Sequence, residues 1–128
     1  MADTNKKIEN ILKMSESERY DYFVRKVADF EQLWGLNDNG WALLGDEKGN
    51  RILPIWPEKE FAQLCAVDQW ESYSPEVIEL NNFLEKWIPG MLNDKTMLNV
   101  FLTPNAKGTV VSTDQLDQDL QDELEQYE

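Results

Sequence analysis

The side chains able to do chemistry here are few in kind. The chain has no histidine and a single cysteine, Cys65. Without an imidazole there is no Ser–His or Cys–His pair to generate a nucleophile. Cys65 shares the apolar face of a predicted helix with Phe61 and Leu64. A buried thiol remote from cations stays protonated and acts as a small hydrophobe. One Cys without His offers no zinc set. Asn37-Asp38-Asn39-Gly40 superficially resembles a calcium loop, but its first ligand position falls on Gly35, which has no side chain. No glycine-rich loop leads into a helix to cradle phosphate. The expectation is no catalytic, cofactor-binding or metal-ligating residue, and no cofactor.

Carboxylates are the abundant functional group. Asp plus Glu number 25 against 12 Lys plus Arg, a net charge of -13. Two of them could do acid–base work on a sugar, but nothing singles out one pair. So acidic a surface repels nucleic acid and anionic membrane and suits a protein partner with a basic surface. The tail is its extreme, with no Lys or Arg from Gly108 onward and with Asp114, Asp117, Asp119, Asp122 and Glu123 spread around a predicted helix. The five tryptophans, Trp34, Trp41, Trp56, Trp70 and Trp87, are many for this length. Such residues either fill a core or rim a binding groove. Trp34, Trp41, Trp56 and Phe61 are the candidate interaction residues.

The elements that must carry these groups follow from periodicity and turn chemistry. Ile8, Ile11 and Leu12 mark a short, polar first helix. Ser15 with Glu18 forms a capping-box pattern ahead of a helix whose stripe is Tyr20, Phe23, Val24, Val27 and Phe30. Three short strands then read as an antiparallel meander: Leu33–Leu36, Trp41–Leu44 and Arg51–Trp56, joined by turns at Asn37–Gly40 and Asp46–Asn50. Pro54 lacks an amide hydrogen, so its strand lies at an edge or breaks there. A helix follows Pro57, then a loop through Asp68, Trp70, Tyr73 and Pro75, then a brief extended piece at Val77–Leu80. Asn82 with Glu85 reads as the start of another helix, kinked or ended by Pro89-Gly90. Met97–Leu102 reads as a central strand covered on both faces, and Thr109–Val111 as its hairpin partner. Ser112 and Gln115 open a last helix with Leu116, Leu120, Leu124 and Tyr127 on one side.

The fold class is therefore α+β, a mostly antiparallel sheet (three-strand meander plus a later hairpin) packed with about five helices. At 128 residues and 41% hydrophobic, residues 1–128 suit a single domain, with residues 1–14 a loosely attached helix. There is no secretory signal, no apolar run of membrane-spanning length and no cysteine pair, which points to a cytoplasmic setting.

Several segments together resemble a known family. They are Leu33-Trp34-Gly35-Leu36, Gly40-Trp41-Ala42-Leu43-Leu44, Leu53-Pro54-Ile55-Trp56-Pro57, Glu60-Phe61-Ala62, Phe83-Leu84-Glu85-Lys86-Trp87-Ile88-Pro89-Gly90 and Val100-Phe101. Across residues 18–124 the pattern is similar to the bacterial domain of unknown function family 2750. The resemblance implies a bacterial, cytoplasmic, stand-alone domain and no particular activity. The run Pro54-Ile55-Trp56-Pro57 ahead of Phe61-Ala62 is also similar, more faintly, to SseB-like domains and some toxin-immunity proteins. The expected function is a non-enzymatic protein-interaction module, immunity-like in its most concrete form. The alternatives are a small-ligand domain with an aromatic-lined pocket and a carboxylate-dependent enzyme.

Overall fold

A computed structural model describes residues 2–126. In chain order the elements are α1 (Ala2–Leu12), α2 (Glu16–Phe30), β1 (Gln32–Asn37), β2 (Leu44–Gly45), β3 (Arg51–Ile55), α3 (Lys59–Leu64), a 3-10 turn (Asp68–Trp70) and β4 (Ser74–Glu79). They continue with α4 (Leu80–Asn82), a π turn (Phe83–Trp87), α5 (Ile88–Asp94), β5 (Met97–Val100), β6 (Thr109–Ser112) and α6 (Thr113–Glu125). This is an α+β arrangement with one antiparallel and one mixed sheet.

The start of α2 is dictated locally. The Glu18 amide donates to Ser15 Oγ at 3.1 Å, and the Ser15 amide donates to Glu18 Oε1 at 3.0 Å. Two amides that no helical carbonyl can reach are thereby satisfied. Phe23, Val24 and Val27 face the core as the stripe requires, joined by Tyr22 and Ala28. Phe30 departs from it. It is exposed, with the Lys26 ammonium 5.0 Å from its ring centroid, because the helix ends at Glu31 in a left-handed conformation and the chain turns away into β1. Below α1, Ile11 is buried, and Lys7 forms a 2.6 Å ion pair with the buried Glu58, which also accepts the Tyr22 hydroxyl at 2.8 Å.

The three early strands do not form one ladder. β1 pairs over six residues with β4, from Gln32 opposite Glu79 to Asn37 opposite Ser74. The Asn37–Gly40 turn does form, but it carries the Trp41 ring onto Gly35, where a Cβ would lie 2.9 Å from the ring. The chain runs beside β1 only briefly, through the Asn37–Trp41 bridge and the Ala42 amide donating to the Leu36 carbonyl at 2.9 Å, and then leaves it for β3. β2 shrinks to two residues pairing with β3, and the second sheet has the order β2-β3-β5-β6. In it β3 and β5 are parallel, while β5 and β6 form the expected hairpin.

Trp34 and Trp56 stitch the sheets together through two backbone hydrogen bonds of 2.9 Å. Along β3, Ile52 pairs with Leu44 and Trp56 with Trp34, so Pro54 falls in the gap between those two partners. Its missing amide hydrogen leaves no ladder bond unmade. β5 is central, but only one of its faces is deeply covered: Leu98 and Val100 are buried, Met97 and Asn99 half-buried.

The segment after β4 also differs from expectation. The helix begins at Leu80, so Asn82 lies inside it and caps nothing. Pro89 neither ends nor breaks it. The Ile88 amide donates to the Phe83 carbonyl, one residue further back than in an α-helix. That π turn absorbs the register change which a proline without an amide imposes. At α6, Ser112 Oγ accepts the Gln115 amide at 3.1 Å, while the Gln115 side chain donates forward to Asp119, so only half of a capping box forms. Leu116 and Leu120 are fully buried and Leu124 half-buried, and Tyr127 lies outside the described residues.

Candidate functional site

Register puts Leu44, Ile52, Pro54, Asn99 and Val110 on one face of the four-stranded sheet. Part of that face forms the floor of a cleft of about 500 Å³. One wall is the loop Leu102–Gly108; the other is Gln69 and Trp70 on the 3-10 turn. The loop wall follows the carboxyl end of β5. Past Trp70 the cleft continues toward Cys65, Val67 and Asp68.

The wall is held from behind. Phe101 is fully buried yet has φ +61°, a left-handed conformation disfavoured for a bulky side chain. This bend ends β5 and throws the loop outward, and it is kept by the Phe101 amide donating to the Ile55 carbonyl at 2.9 Å and by a tilted contact with the Phe61 ring, centroids 4.9 Å apart. Trp56 Nε1 donates to the Leu102 carbonyl at 2.9 Å. Thr103 and Ala106 exchange backbone bonds across Pro104 and Asn105. Buried Arg19 spends its guanidinium on three carbonyls: Phe101 at 3.4 Å, Met14 at 2.7 Å and Lys107 at 2.7 Å. Asp68, which precedes the opposite wall and lines only the neighbouring extension of the cleft, also has a left-handed backbone, φ +54°.

Asn99 is the anomaly in the floor. Its Oδ1 is shut off from solvent and accepts no hydrogen bond, unlike any other buried side-chain polar atom among the described residues. Such an orphan acceptor costs about 1–3 kcal/mol. Gly108 makes the placement possible, because a Cβ there would overlap Asn99 Oδ1 and sit 2.7 Å from the Leu102 nitrogen and the Val100 oxygen. The lining is mostly apolar, from Leu44, Trp70, Leu102, Pro104, Ala106 and Val110; its polar part is Gln69, Asn99, Thr103 and Asn105, with Lys107 the one charged side chain and no carboxylate.

The aromatic residues singled out from sequence are not gathered in this cleft. Trp56 and Phe61 are 0% and 1% exposed and belong to the core. Both act behind the wall, through Leu102 and Phe101. Half-buried Trp34 borders a shallow groove with Lys7, Phe30 and Glu58. Half-buried Trp41 stands edge-on to Trp87 in a separate apolar pocket. Sequence reasoning missed Asn99 and Gly108. The only legible signal was a polar residue inside an otherwise apolar strand, Met97-Leu98-Asn99-Val100.

The family comparison bears on this region. A family model described as a protein of unknown function (DUF2750) matches residues 20–120. The chain belongs to this family. The matched span takes in both walls, Asn99, Gly108 and the Trp41–Trp87 pocket, and begins one residue after Arg19. No curated protein matches the chain.

The titratable groups near the core shift in one sense. Burial pushes the Cys65 thiol up to about 11. Burial, then the bond to Asp119, raises Tyr20; burial, then the bond to Glu58, raises Tyr22. A folded-state pKa above the unfolded value means the fold holds the proton more tightly. The associated stability is complete below the ordinary values and lost as pH rises past them. The expected result is a urea midpoint that falls steadily above about pH 9, the ordinary thiol value, with Cys65→Ala removing the earliest part of the fall. Equilibrium unfolding at a series of pH values measures it. Among the described residues no helix is long and apolar enough to cross a membrane, and no group of three or more Cys, Asp or Glu side chains is placed to hold a metal ion.

Proposed function

We propose that this chain is a non-enzymatic binding module whose recognition site is the cleft between the 3-10 turn and the Leu102–Gly108 loop. The observation that carries the reading is Asn99. A carboxamide with an unpartnered oxygen, in the central strand and under a close-packed glycine, costs stability that valine at the same position would not. Groups that cost stability without structural return concentrate at functional sites. A mostly apolar lining with a few amide and hydroxyl groups and no carboxylate favours a neutral ligand over a cation, and the only thiol nearby is held protonated.

Asn99→Val tests this. Valine is shorter than asparagine and suits a strand, so the expected result is an unchanged or raised melting temperature, by up to a few degrees. A loss of more than about 1 kcal/mol would mean that Asn99 serves the fold, and the reading would fail.

A second reading has its own observation. α6 carries Asp114, Asp117, Asp119, Asp122, Glu123 and Glu125 with no basic residue, and its Asp119, Asp122 and Glu123 line a groove of about 400 Å³ with Asp21 and Arg25 of α2. Such a face suits a protein partner with a basic surface, of which an immunity-like role is one form. Capture of that partner weakens as salt rises, because charge attraction across an exposed interface is screened.

A further inference from the structure

On the other side of the four-stranded sheet a smaller pocket of about 240 Å³ is lined by Trp41, Leu43, Arg51, Leu53, Trp87, Met91 and Thr96. Its construction is unlike that of the rest of the surface. Leu53 and Met91 are buried, 3% and 8% exposed. The Trp41 and Trp87 rings meet edge to face, with centroids 4.9 Å apart and planes at 75°. Trp41 is seated flat against Gly35, which has no Cβ to displace it, and Trp87 is backed by Phe83 at 6.1 Å. Two large rings in mutual contact are thus fixed in place, half-buried, in the lining of an apolar opening. Leu43, half exposed to water at 49%, forms part of the rim.

The only charged group in this lining is Arg51, which is solvent-exposed and makes no ion pair among the described residues. In a chain of 25 carboxylates and 12 basic residues, this arginine stands at the rim of an aromatic pocket whose lining holds no carboxylate. Its guanidinium offers a planar fork of donors that matches a carboxylate. The apolar lining next to it accepts a ring or branched aliphatic group.

We propose that this pocket binds a small organic monocarboxylate with an aromatic or branched apolar body of about one ring, its carboxylate on Arg51 and its body packed against the Trp41–Trp87 pair. The site is separate from the Asn99 cleft and does not depend on it. Charge complementarity selects the anion, and the size of the pocket, about 240 Å³, limits the body. A longer chain would have to leave past Leu43.

The test uses the full chain and the indole N–H signals of its tryptophans in NMR titrations. Phenylacetate is the probe, phenylacetamide its uncharged isostere, and acetate the anion without a ring. A fragment of this size binds at roughly millimolar Kd. The expected result is saturable movement of the Trp41 and Trp87 signals with phenylacetate, and binding about tenfold weaker for each control. Arg51→Met reduces phenylacetate binding about tenfold and leaves phenylacetamide unchanged, while Arg51→Lys falls between. Arg51 is exposed and unpaired, so these variants retain the fold, which the unchanged remaining spectrum verifies. Equal binding of phenylacetate and phenylacetamide, or no movement of the two indole signals at tens of millimolar probe, overturns the proposal.

Discussion

Replacing Arg19 with alanine lowers the melting temperature by roughly 10 °C or more, corresponding to about 3–5 kcal/mol. The argument starts from where the charge goes. Arg19 is 3% exposed and has no carboxylate partner; its guanidinium is neutralised only by the dipoles of the Met14, Phe101 and Lys107 carbonyls. It thereby ties three separated segments together: the end of the α1–α2 connection, the strained residue after β5 and the last turn of the cleft wall. Truncation leaves three carbonyls without a donor and opens a hole where the side chain lay. Arg19→Lys keeps the charge but lacks the planar fork, so it recovers only part of the loss. Thermal unfolding by circular dichroism gives the magnitude. Amide exchange gives the location, since protection should fall first in residues 101–108. A change below about 1 kcal/mol would show that the three contacts do not hold the wall.

Gly108→Ala produces the second large effect, a loss of about 2–4 kcal/mol. A single methyl group is added, yet two of the three atoms it meets are backbone, the Leu102 nitrogen and the Val100 oxygen at 2.7 Å. The third, Asn99 Oδ1, belongs to a side chain that could be removed. The double variant Gly108→Ala with Asn99→Ala therefore regains only part of the stability, because the backbone overlap persists. Urea denaturation of the single and double variants measures this. Full recovery in the double variant would mean the loop shifts freely, and the Leu102–Gly108 wall would not be the rigid surface that the Asn99 reading requires.

How much of this was legible in the sequence depends on the range of the interaction involved. The Ser15–Glu18 capping box, the α2 stripe and the leucine face of α6 are set by residues three and four apart, and they appear where periodicity puts them. Cys65 lies on the buried face of α3, as its neighbours Phe61 and Leu64 indicated. The excess of acid along α6 needed no structure at all. The α+β class followed from the clustering of short strands, and the family from the spaced tryptophan and proline motifs that the 20–120 match contains.

Tertiary structure decided what depends on pairing between distant residues. β1 paired along its whole length with β4, some forty residues away, while the chain after the Asn37–Gly40 turn keeps only a brief pairing with β1 at Trp41 and Ala42 before β2 joins β3. β3 met β5 in parallel, an arrangement that no local pattern announces. Which tryptophans would be buried was equally unreadable: residue type sets the tendency to leave water, but the direction of each ring is set by its neighbours in space. Trp56 and Phe61 went to the core, and Trp41 reached a pocket whose partners, Arg51, Trp87 and Met91, are remote in the chain. The cleft joins residues from 44 to 110, and its key residue is one asparagine that looks ordinary until Gly108 is found against it. Helical contacts are local and written in spacing, whereas strand pairing and the sites built on it come from long-range packing, which the linear order does not encode in any short pattern.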